Sequence, residues 1–213
     1  KFLETLDELG LPGLEVTVLC EEPRAAYDRV HLSEFFSGKS AGNLSLVEPG
    51  FFERTGFKLL LGTRVTAVER RRNTLTTSDG DELAYDKLVL ATGSSPFVPP
   101  VPGRDRAHCF VYRTIEDLEA MKASGAKSRR GVVVGGGLLG LECAKALRDM
   151  GLETHVVEFS PRLMAVQIDE GGGRALRARI EALGVHVHTN RNTVSITDGA
   201  FARHRMVYAD GTY

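Results

Sequence analysis

Three glycines with the spacing G-x-G-x-x-G, namely Gly135, Gly137 and Gly140, are the residues whose chemistry the sequence indicates best. The first permits a tight turn between a strand and a helix, and the second lets the backbone approach a pyrophosphate. The third lets helix and strand pack closely, so that phosphates lie at the helix N terminus, where N–H groups attract anions. The spacing predicts a dinucleotide site, with an ordinary glycine-rich turn as the alternative.

A carboxylate follows this motif at the distance that a dinucleotide site needs. The apolar run 131–134 predicts a buried strand before the glycines, and a second predicted strand, 154–157, ends in Glu158, 18 residues after Gly140. A carboxylate there can accept hydrogen bonds from a ribose 2′-OH and repels a 2′-phosphate. The sequence therefore favours NADH over NADPH, a preference that Arg162, four residues on, could soften.

Another strand that ends in acid is predicted near the start of the chain. The pattern predicts a helix over 1–9 with Gly10 as its stop, and a strand over 15–20 that leads into Glu21 and Glu22. This order is typical of the second half of a β-α-β unit whose first strand and glycine loop would precede this sequence. Solvated turn carboxylates are the alternative. Without that glycine loop, we expect the chain alone to bind a dinucleotide there weakly or not at all.

The rest of the sequence predicts the elements that must hold these residues. We expect a short helix at 51–56 and a buried strand over 85–94 that breaks at Gly93, followed by a proline-rich interdomain connection over 95–103. Thr114 as N-cap and Asp117 as the acid of a capping box predict the next helix. The remaining predictions are strands at 57–62, 64–69, 74–77 and 184–189, a hairpin turn at 78–81, a hairpin of 194–197 with 205–208, and a helix over 169–183 interrupted early by its three glycines.

Composition narrows the class of protein. The chain is 42% hydrophobic and 26% charged, which is typical of a soluble globular protein. Its net charge of −1 gives no electrostatic reason to bind nucleic acid or a membrane surface. No apolar run approaches the roughly 20 residues that span a bilayer. We therefore expect a cytoplasmic protein with neither a nucleic-acid partner nor a membrane.

Cysteine and histidine give no sign of redox or metal chemistry in the sequence. Cys20, Cys109 and Cys143 are isolated, which predicts buried thiols in a reducing cytosol and argues against a redox-active dithiol. His186 and His188 alternate on a predicted strand and so share one face. Because no third ligand is near in sequence, a solvated or hydrogen-bonded pair is favoured, and no metal site is predicted.

Taken together, several segments resemble the flavoproteins that bind two dinucleotides, a family that includes glutathione-reductase-like enzymes, ferredoxin reductases and NAD(P)H-dependent nitrite reductases. The resemblance is greatest to the flavin-reducing part of assimilatory nitrite reductases. It implies an α/β fold with two Rossmann-like domains of glutathione-reductase type, each with a β-meander, truncated at both ends: a partial FAD-binding domain at 1–103 and an NAD(P)H-binding domain at 104–213. The matching segments are 21–23, 27–33, 91–94, 111–118, 135–142 and 158–164.

The resemblance also implies roles for individual residues on the FAD side. Glu21, possibly with Glu22, would bind the ribose of the adenosine half. Arg29 would reach the FAD phosphate or the flavin, although its residue type equally allows a pair with Asp28 or Glu34. The others are Val65, whose backbone would contact the adenine, Ala91, Thr92 and Gly93, which would pass beside the flavin, and Arg113, which would lie near it.

On the NAD(P)H side, the resemblance assigns the pyrophosphate to the glycine motif and the adenosine ribose to Glu158. Glu142 would lie near the nicotinamide, with the alternative that it only complements the helix dipole from the first turn. The pyrophosphate residues are Gly135, Gly136, Gly137, Leu138, Leu139 and Gly140.

The implied reaction is hydride transfer from nicotinamide C4 to flavin N5, held about 3–3.5 Å apart. It needs no side chain as acid or base, so no catalytic residue is assigned. In such enzymes electrons pass on to iron–sulfur and sirohaem centres, which would lie in the missing remainder of the protein and reduce nitrite to ammonia. Glu34 stands where ferredoxin reductases of this group have Lys, which favours the nitrite-reductase branch.

Two other functions stay open at this point. One is a stand-alone NADH-dependent rubredoxin or ferredoxin reductase, which would pass electrons to a small redox partner protein instead of to its own acceptor domains. The other is a non-catalytic nucleotide-binding redox sensor. In each case we expect a homo-oligomer that binds nicotinamide and flavin dinucleotides.

Overall fold

A computed structural model describes all 213 residues of the chain. The residues form two compact units, one made of 1–28 with 41–93 and the other of 29–40 with 94–213. The predicted domain boundary at residue 103 stays a prediction. None of the helices is long and apolar enough to cross a membrane.

The first unit contains a two-stranded parallel sheet and a three-stranded meander. Helix α1 (Phe2–Leu9) is followed by strand β1 (Thr17–Leu19), so the predicted helix–strand order at the start of the chain is confirmed. The helix ends before Gly10, whose backbone is left-handed with φ 56°. Strand β1 pairs in parallel with β2 (Lys58–Leu60). The bounds are α1 Phe2–Leu9, β1 Thr17–Leu19, α2 Phe51–Thr55, β2 Lys58–Leu60, β3 Val65–Glu69, β4 Thr74–Thr77 and β5 Glu82–Ala84, with short 3-10 helices at Leu32–Phe35 (second unit) and Gly42–Leu44.

The meander places β4 between β3 and β5 with antiparallel pairing throughout. Alternation along β4 buries Leu75 and Thr77 on one face, as a half-buried strand requires. The hairpin turn predicted at 78–81 is present, and the Asp81 N–H donates to Thr77 Oγ1. The sequence did not predict the short strand β5.

The buried strand predicted over 85–94 is wrong. This segment forms no strand, and Val89 and Leu90 are 58% and 72% exposed. The parallel sheet of the first unit contains only β1 and β2, so the segment has no ladder partner to satisfy its backbone and cover its apolar side chains. The proline-rich stretch after it contains no helix or strand, as predicted.

The second unit is built on a three-stranded parallel sheet in the order β6 (Arg130–Val134), β7 (Glu153–Val157), β8 (Val185–His188). A separate antiparallel hairpin consists of β9 (Thr193–Asp198) and β10 (His204–Tyr208). The resemblance implies a β-meander in this unit, and the structure has the two antiparallel strands β9 and β10 there. The bounds are α3 Ile115–Gly125, β6 Arg130–Val134, α4 Leu138–Asp149, β7 Glu153–Val157, α5 Glu170–Ala182, β8 Val185–His188, β9 Thr193–Asp198 and β10 His204–Tyr208.

One face of this parallel sheet forms the core with helices α4 and α5. Val133 and Val156 are neighbours in register on that face and are 8% and 0% exposed. The same face carries Gly131, where an added Cβ would lie 2.8 Å from the Leu147 side chain of α4. Thr154, also buried here, satisfies its hydroxyl by donating to the Leu152 carbonyl. Close packing of α4 against β6 therefore fixes where the intervening loop lies.

In the second unit the sequence predicts the start of helix α3 correctly but is wrong about the interior of α5. The capping box is confirmed, because Asp117 N–H donates to Thr114 Oγ1 and Thr114 N–H donates to the Asp117 carboxylate. The predicted interruption of α5 is wrong, since the helix is continuous through its glycines. Asp169 caps it through Gly172 N–H, and Gly173 gives room to a close neighbour, since an added Cβ would be 2.9 Å from Arg162 Cδ.

Candidate dinucleotide-binding site

The loop between β6 and α4 has the geometry that the glycine spacing predicts. Gly135 has φ 115°, a conformation that side chains rarely allow, and its N–H donates to the Val157 carbonyl at 2.8 Å. At Gly140 an added Cβ would lie 2.0 Å from the Gly135 carbonyl oxygen. Only glycine lets the first turn of α4 come this close to the end of β6.

The N terminus of α4 is open. Gly137 is its N-cap residue, and no side chain caps the free N–H groups of the first turn. A Cβ on Gly137 would meet nothing within 4 Å, so the backbone borders free space at that point. Leu138 and Leu139, which follow, are 60% and 58% exposed. Uncapped N–H groups beside free space fit the pyrophosphate of a dinucleotide.

Glu158 lies directly beside this loop. Its Oε2 accepts a hydrogen bond from the Gly136 N–H at 2.5 Å, and its Oε1 accepts one from the Ser160 N–H at 2.6 Å. The structure thus brings the predicted acid and the predicted glycine loop together, although 22 residues separate them. A carboxylate fixed at the end of β7 is suitably placed to accept from the hydroxyls of a ribose.

The Arg162 guanidinium makes hydrogen bonds within its own loop. Its guanidinium donates to the carbonyls of Ala165 and Ile168 at 3.0 and 3.1 Å, and its stem packs on Gly173. An arginine already bonded in this way has less freedom to reach a 2′-phosphate. Its predicted effect on the cofactor preference stays a prediction.

The predicted flavin-side arginines of the second unit are in contact. Arg29 donates from Nη1 to the Arg113 carbonyl at 3.0 Å, which connects the segment 29–40 to the start of α3. Phe36 of that segment stacks on Tyr112 with centroids 6.4 Å apart. These contacts place Arg29 and Arg113 side by side.

Glu142 lies on α4 near the same residues. Burial raises the pKa of its carboxyl, and the charge of His31 opposes that shift. Burial, and next the charge of Glu142, raise the pKa of the Tyr112 phenol well above its usual range. The Tyr112 hydroxyl is buried, and the Ser33 side chain is its polar neighbour.

The sequence gives no sign that His31 and Tyr112 lie near Glu142, as they do in the structure. Both flank residues that the resemblance did select, since His31 lies two positions after Arg29 and Tyr112 precedes Arg113. No spacing rule marks them, because their approach to Glu142 depends on packing between distant segments.

The FAD-side residues of the first unit lie where β1 ends. Glu21 forms an exposed ion pair with Arg64 at 3.4 Å, next to Val65 at the start of β3. Glu22 accepts a hydrogen bond from the Tyr27 hydroxyl at 2.7 Å. The structure therefore gathers the predicted ribose acids and the predicted adenine contact at one end of the parallel pair, where the carboxylates could accept hydrogen bonds from the ribose hydroxyls of FAD.

No strand holds the predicted flavin-side residues Ala91, Thr92 and Gly93 beside Glu21 and Glu22. All three are exposed and belong to the segment that forms no regular structure. Their position beside a flavin stays a prediction.

The three cysteines are free thiols. Burial raises the pKa of Cys143, on α4, to about 12, which keeps it protonated and a poor nucleophile.

Comparison with known proteins gives the chain a family context. The family model described as pyridine nucleotide-disulphide oxidoreductase matches residues 2–213. The nitrite reductase (NADH) large subunit of Escherichia coli is 52% identical over 214 residues, which cover 100% of this chain and 25% of that protein. The nitrite reductase [NAD(P)H] large subunit of Klebsiella oxytoca is 57% identical over 181 residues, 85% of this chain and 19% of that protein.

A solved structure has the same fold. The ferredoxin reductase of Rhodopseudomonas palustris superposes with a TM-score of 0.88 at 25% identity, covering 98% of this chain and 52% of that one. The chain thus spans a quarter or less of the two nitrite reductase subunits and about half of the ferredoxin reductase.

Proposed function

Because the chain belongs to the pyridine nucleotide-disulphide oxidoreductase family, we propose that it is the FAD- and NADH-binding part of an oxidoreductase that reduces nitrite to ammonia. When bound, the two dinucleotides supply the hydride transfer from nicotinamide to flavin, and the protein supplies position and electrostatics. The names of the two nitrite reductase relatives support the acceptor. Iron–sulfur and sirohaem centres would belong to other parts of the whole protein.

The second unit would bind NADH through backbone N–H groups and through a carboxylate. The free N–H groups at the N terminus of α4 would hold the pyrophosphate, and the open space at Gly137 lets the backbone approach it. Glu158 would accept from the adenosine ribose. Glu142 is half-buried, burial raises the pKa of its carboxyl, and it would lie beside the nicotinamide.

The single observation that carries the cofactor assignment is the Glu158 carboxylate fixed against the Gly136 N–H at 2.5 Å. A 2′-phosphate at that position would meet a negative charge that cannot withdraw without breaking both backbone hydrogen bonds. NADH has only a hydroxyl there.

The test compares kcat/KM for NADH and for NADPH in the intact FAD-loaded protein and in its Glu158→Gln variant, with ferricyanide as electron acceptor. We expect the wild type to prefer NADH and the variant to lose about tenfold of that preference, about 1.4 kcal/mol, because the amide removes the charge, and its NH2 group no longer accepts one of the two backbone N–H groups. Glu170→Gln, an exposed acid of α5 in the same unit, is the control. Equal turnover of the two cofactors by the wild type would contradict the assignment.

The acceptor is tested separately in the intact protein. NADH should bleach a flavin absorption band, and nitrite should then be consumed with formation of ammonia in proportion to NADH. If NADH bleaches the flavin and rubredoxin or ferredoxin is reduced while nitrite is not, the stand-alone reductase is the correct function. A colourless protein whose spectrum NADH leaves unchanged would favour the sensor. Cytoplasmic location and homo-oligomeric assembly stay predictions.

A further inference from the structure

Three histidines lie together on the face of the second unit's parallel sheet that is opposite to α4 and α5. His155 of β7 is paired in register with His186 of β8, and their rings stack with centroids 4.7 Å apart. His188, two residues further along β8, also stacks on His155, at 5.3 Å. Glu153, two residues before His155 on β7, completes the cluster on the same face.

The polar atoms of this cluster converge. His155 Nε2 lies 3.2 Å from Glu153 Oε1, and His155 Nδ1 lies 3.0 Å from His188 Nε2. One ligand atom from each of Glu153, His155 and His186 can be chosen so that all lie within 4.8 Å of one another. Glu153 and His186 are exposed and His155 is half-buried, so an ion from solution can reach them.

We propose that Glu153, His155 and His186 form a binding site for a divalent transition-metal ion of the class that prefers imidazole, with Zn²⁺ as its representative. Two imidazole nitrogens and one carboxylate oxygen are a ligand set that zinc uses, with a water in the fourth tetrahedral position. Imidazole suits zinc, copper and nickel, whereas magnesium and calcium prefer oxygen ligands alone.

The distances fit such an ion. Metal–ligand bonds of about 2.0–2.1 Å at tetrahedral angles place ligand atoms roughly 3.3 Å apart. The His155 Nε2 to Glu153 Oε1 distance of 3.2 Å already has this value. His186 has to approach by a rotation of its exposed ring, since the group as a whole spans up to 4.8 Å.

His188 is the positioning residue of this site. A histidine that binds a metal through one nitrogen usually donates its other N–H to an acceptor, which fixes its tautomer. With the ion on His155 Nε2, the Nδ1–H of His155 would donate to His188 Nε2, which is 3.0 Å away. The partner that orients the ligand is thus already in place.

Three arginines bring positive charge near the cluster: Arg130, which pairs with Glu153, and Arg177 and Arg191, whose charges act on His188. Arg130 of β6 donates from Nε to Glu153 Oε2 at 2.7 Å, so it fixes the carboxylate and brings a positive charge near the site. The pair leaves Oε1, the oxygen that faces His155, for the metal. Arg130 therefore weakens binding through its charge and aids it by holding the ligand still.

The sequence alone favours a solvated or hydrogen-bonded pair of His186 and His188, because no third ligand is near in sequence. The parallel register supplies it, because β7 and β8 place His155 beside His186 although 31 positions separate them along the chain. Without a metal, the same atoms lie at hydrogen-bonding distance, His188 to His155 and His155 to Glu153.

The test is a Zn²⁺ titration of the untagged full chain in competition with a chromophoric chelator, repeated with Co²⁺ and its visible absorption bands. We expect one ion at this site and a tetrahedral Co²⁺ spectrum. His186→Ala and Glu153→Gln, both at exposed positions, should each weaken Zn²⁺ binding at least about tenfold and remove the Co²⁺ bands. His108→Asn, an exposed histidine outside the cluster, should leave both unchanged.

His188→Gln and His188→Ala separate positioning from ligation. An amide can still accept from His155 Nδ1–H, so His188→Gln should retain most of the affinity, whereas His188→Ala should lose about tenfold while the Co²⁺ band positions stay constant. Unchanged Zn²⁺ affinity in both His186→Ala and Glu153→Gln would overturn the proposal. So would an octahedral Co²⁺ spectrum, or no binding by a wild type whose circular dichroism shows it to be folded.

Discussion

The two units use the same local pattern, a parallel strand that ends in an acid, with different results. In the second unit β7 lies between two strands, and Val156 at its centre is fully buried. In the first unit β1 has one neighbour, and neither β1 nor β2 contains a buried residue. The comparison shows that the burial of the strand, and not the acid that follows it, decides how firmly a site is held.

The acids themselves differ in the same way. Both oxygens of Glu158 accept backbone N–H groups within 2.6 Å, so the carboxylate is fixed by the fold. Glu21 forms a pair with Arg64 in which both side chains are 66% exposed. Exposed pairs of this kind contribute little to stability. Glu158 is therefore held more firmly than Glu21.

The largest expected effect is that of Gly140→Ala, which disturbs the glycine loop between β6 and α4 in the second unit. Its Cβ would lie 2.0 Å from the Gly135 carbonyl oxygen, so α4 has to move away from β6. We expect about 3 kcal/mol lower unfolding free energy, since overpacking of this kind usually costs 1–3 kcal/mol and a backbone contact cannot give way. Urea unfolding measures the change, and an NADH titration should show binding lost with it.

Gly171→Ala is the matched control for that substitution. It lies inside α5, where a Cβ would be 3.6 Å from its nearest neighbour, an ordinary contact. Alanine there should stabilise the protein by about 0.5–1 kcal/mol. Equal effects of the two substitutions would mean that the α4–β6 approach is not closely packed.

The next largest effect compares the same substitution at the centre of a parallel strand in each unit. Val156→Ala removes a fully buried side chain and should cost about 2–3 kcal/mol, the transfer term plus a cavity term. Val18→Ala, at a half-buried position of β1, should cost less than about 1 kcal/mol. Urea unfolding of both variants measures the difference, and similar costs would contradict the contrast between the units.

Gly137→Ala separates binding from stability in the second unit. Its backbone has φ −81°, which alanine adopts freely, and its Cβ would meet no protein atom within 4 Å. The unfolding free energy should change by less than about 0.5 kcal/mol. The methyl group would instead occupy space that the pyrophosphate needs, so the Kd for NADH should rise at least about tenfold, as measured by calorimetry. Unchanged affinity would place the pyrophosphate elsewhere.

The sequence predicts features that depend on nearby residues, and it does not predict those that depend on contacts between distant segments. The glycine loop, Glu158 and the Thr114 capping box depend on residues near one another in sequence or on a fixed β-α-β spacing, and each was predicted. The strand over 85–94 failed because its pattern says nothing about whether a neighbouring strand is present. His155 was missed as a partner of His186 because only the parallel register brings them together.

The smallest expected effect concerns Glu142, whose carboxyl the second unit partly buries. Burial raises its pKa, so the folded state binds the proton more tightly than the unfolded chain, and stability falls as pH rises through and above about 4.3. Glu142→Gln should therefore stabilise the protein at pH 7, by less than about 1 kcal/mol because solvent still screens the group. The gain should disappear below about pH 4, where Glu142 is protonated in both states.

Glu21→Gln, at the exposed acid of the first unit, should change stability little at either pH. A larger gain for Glu142→Gln at pH 4 than at pH 7 would show that the carboxylate is stabilised by its surroundings, with His31 prevailing over burial.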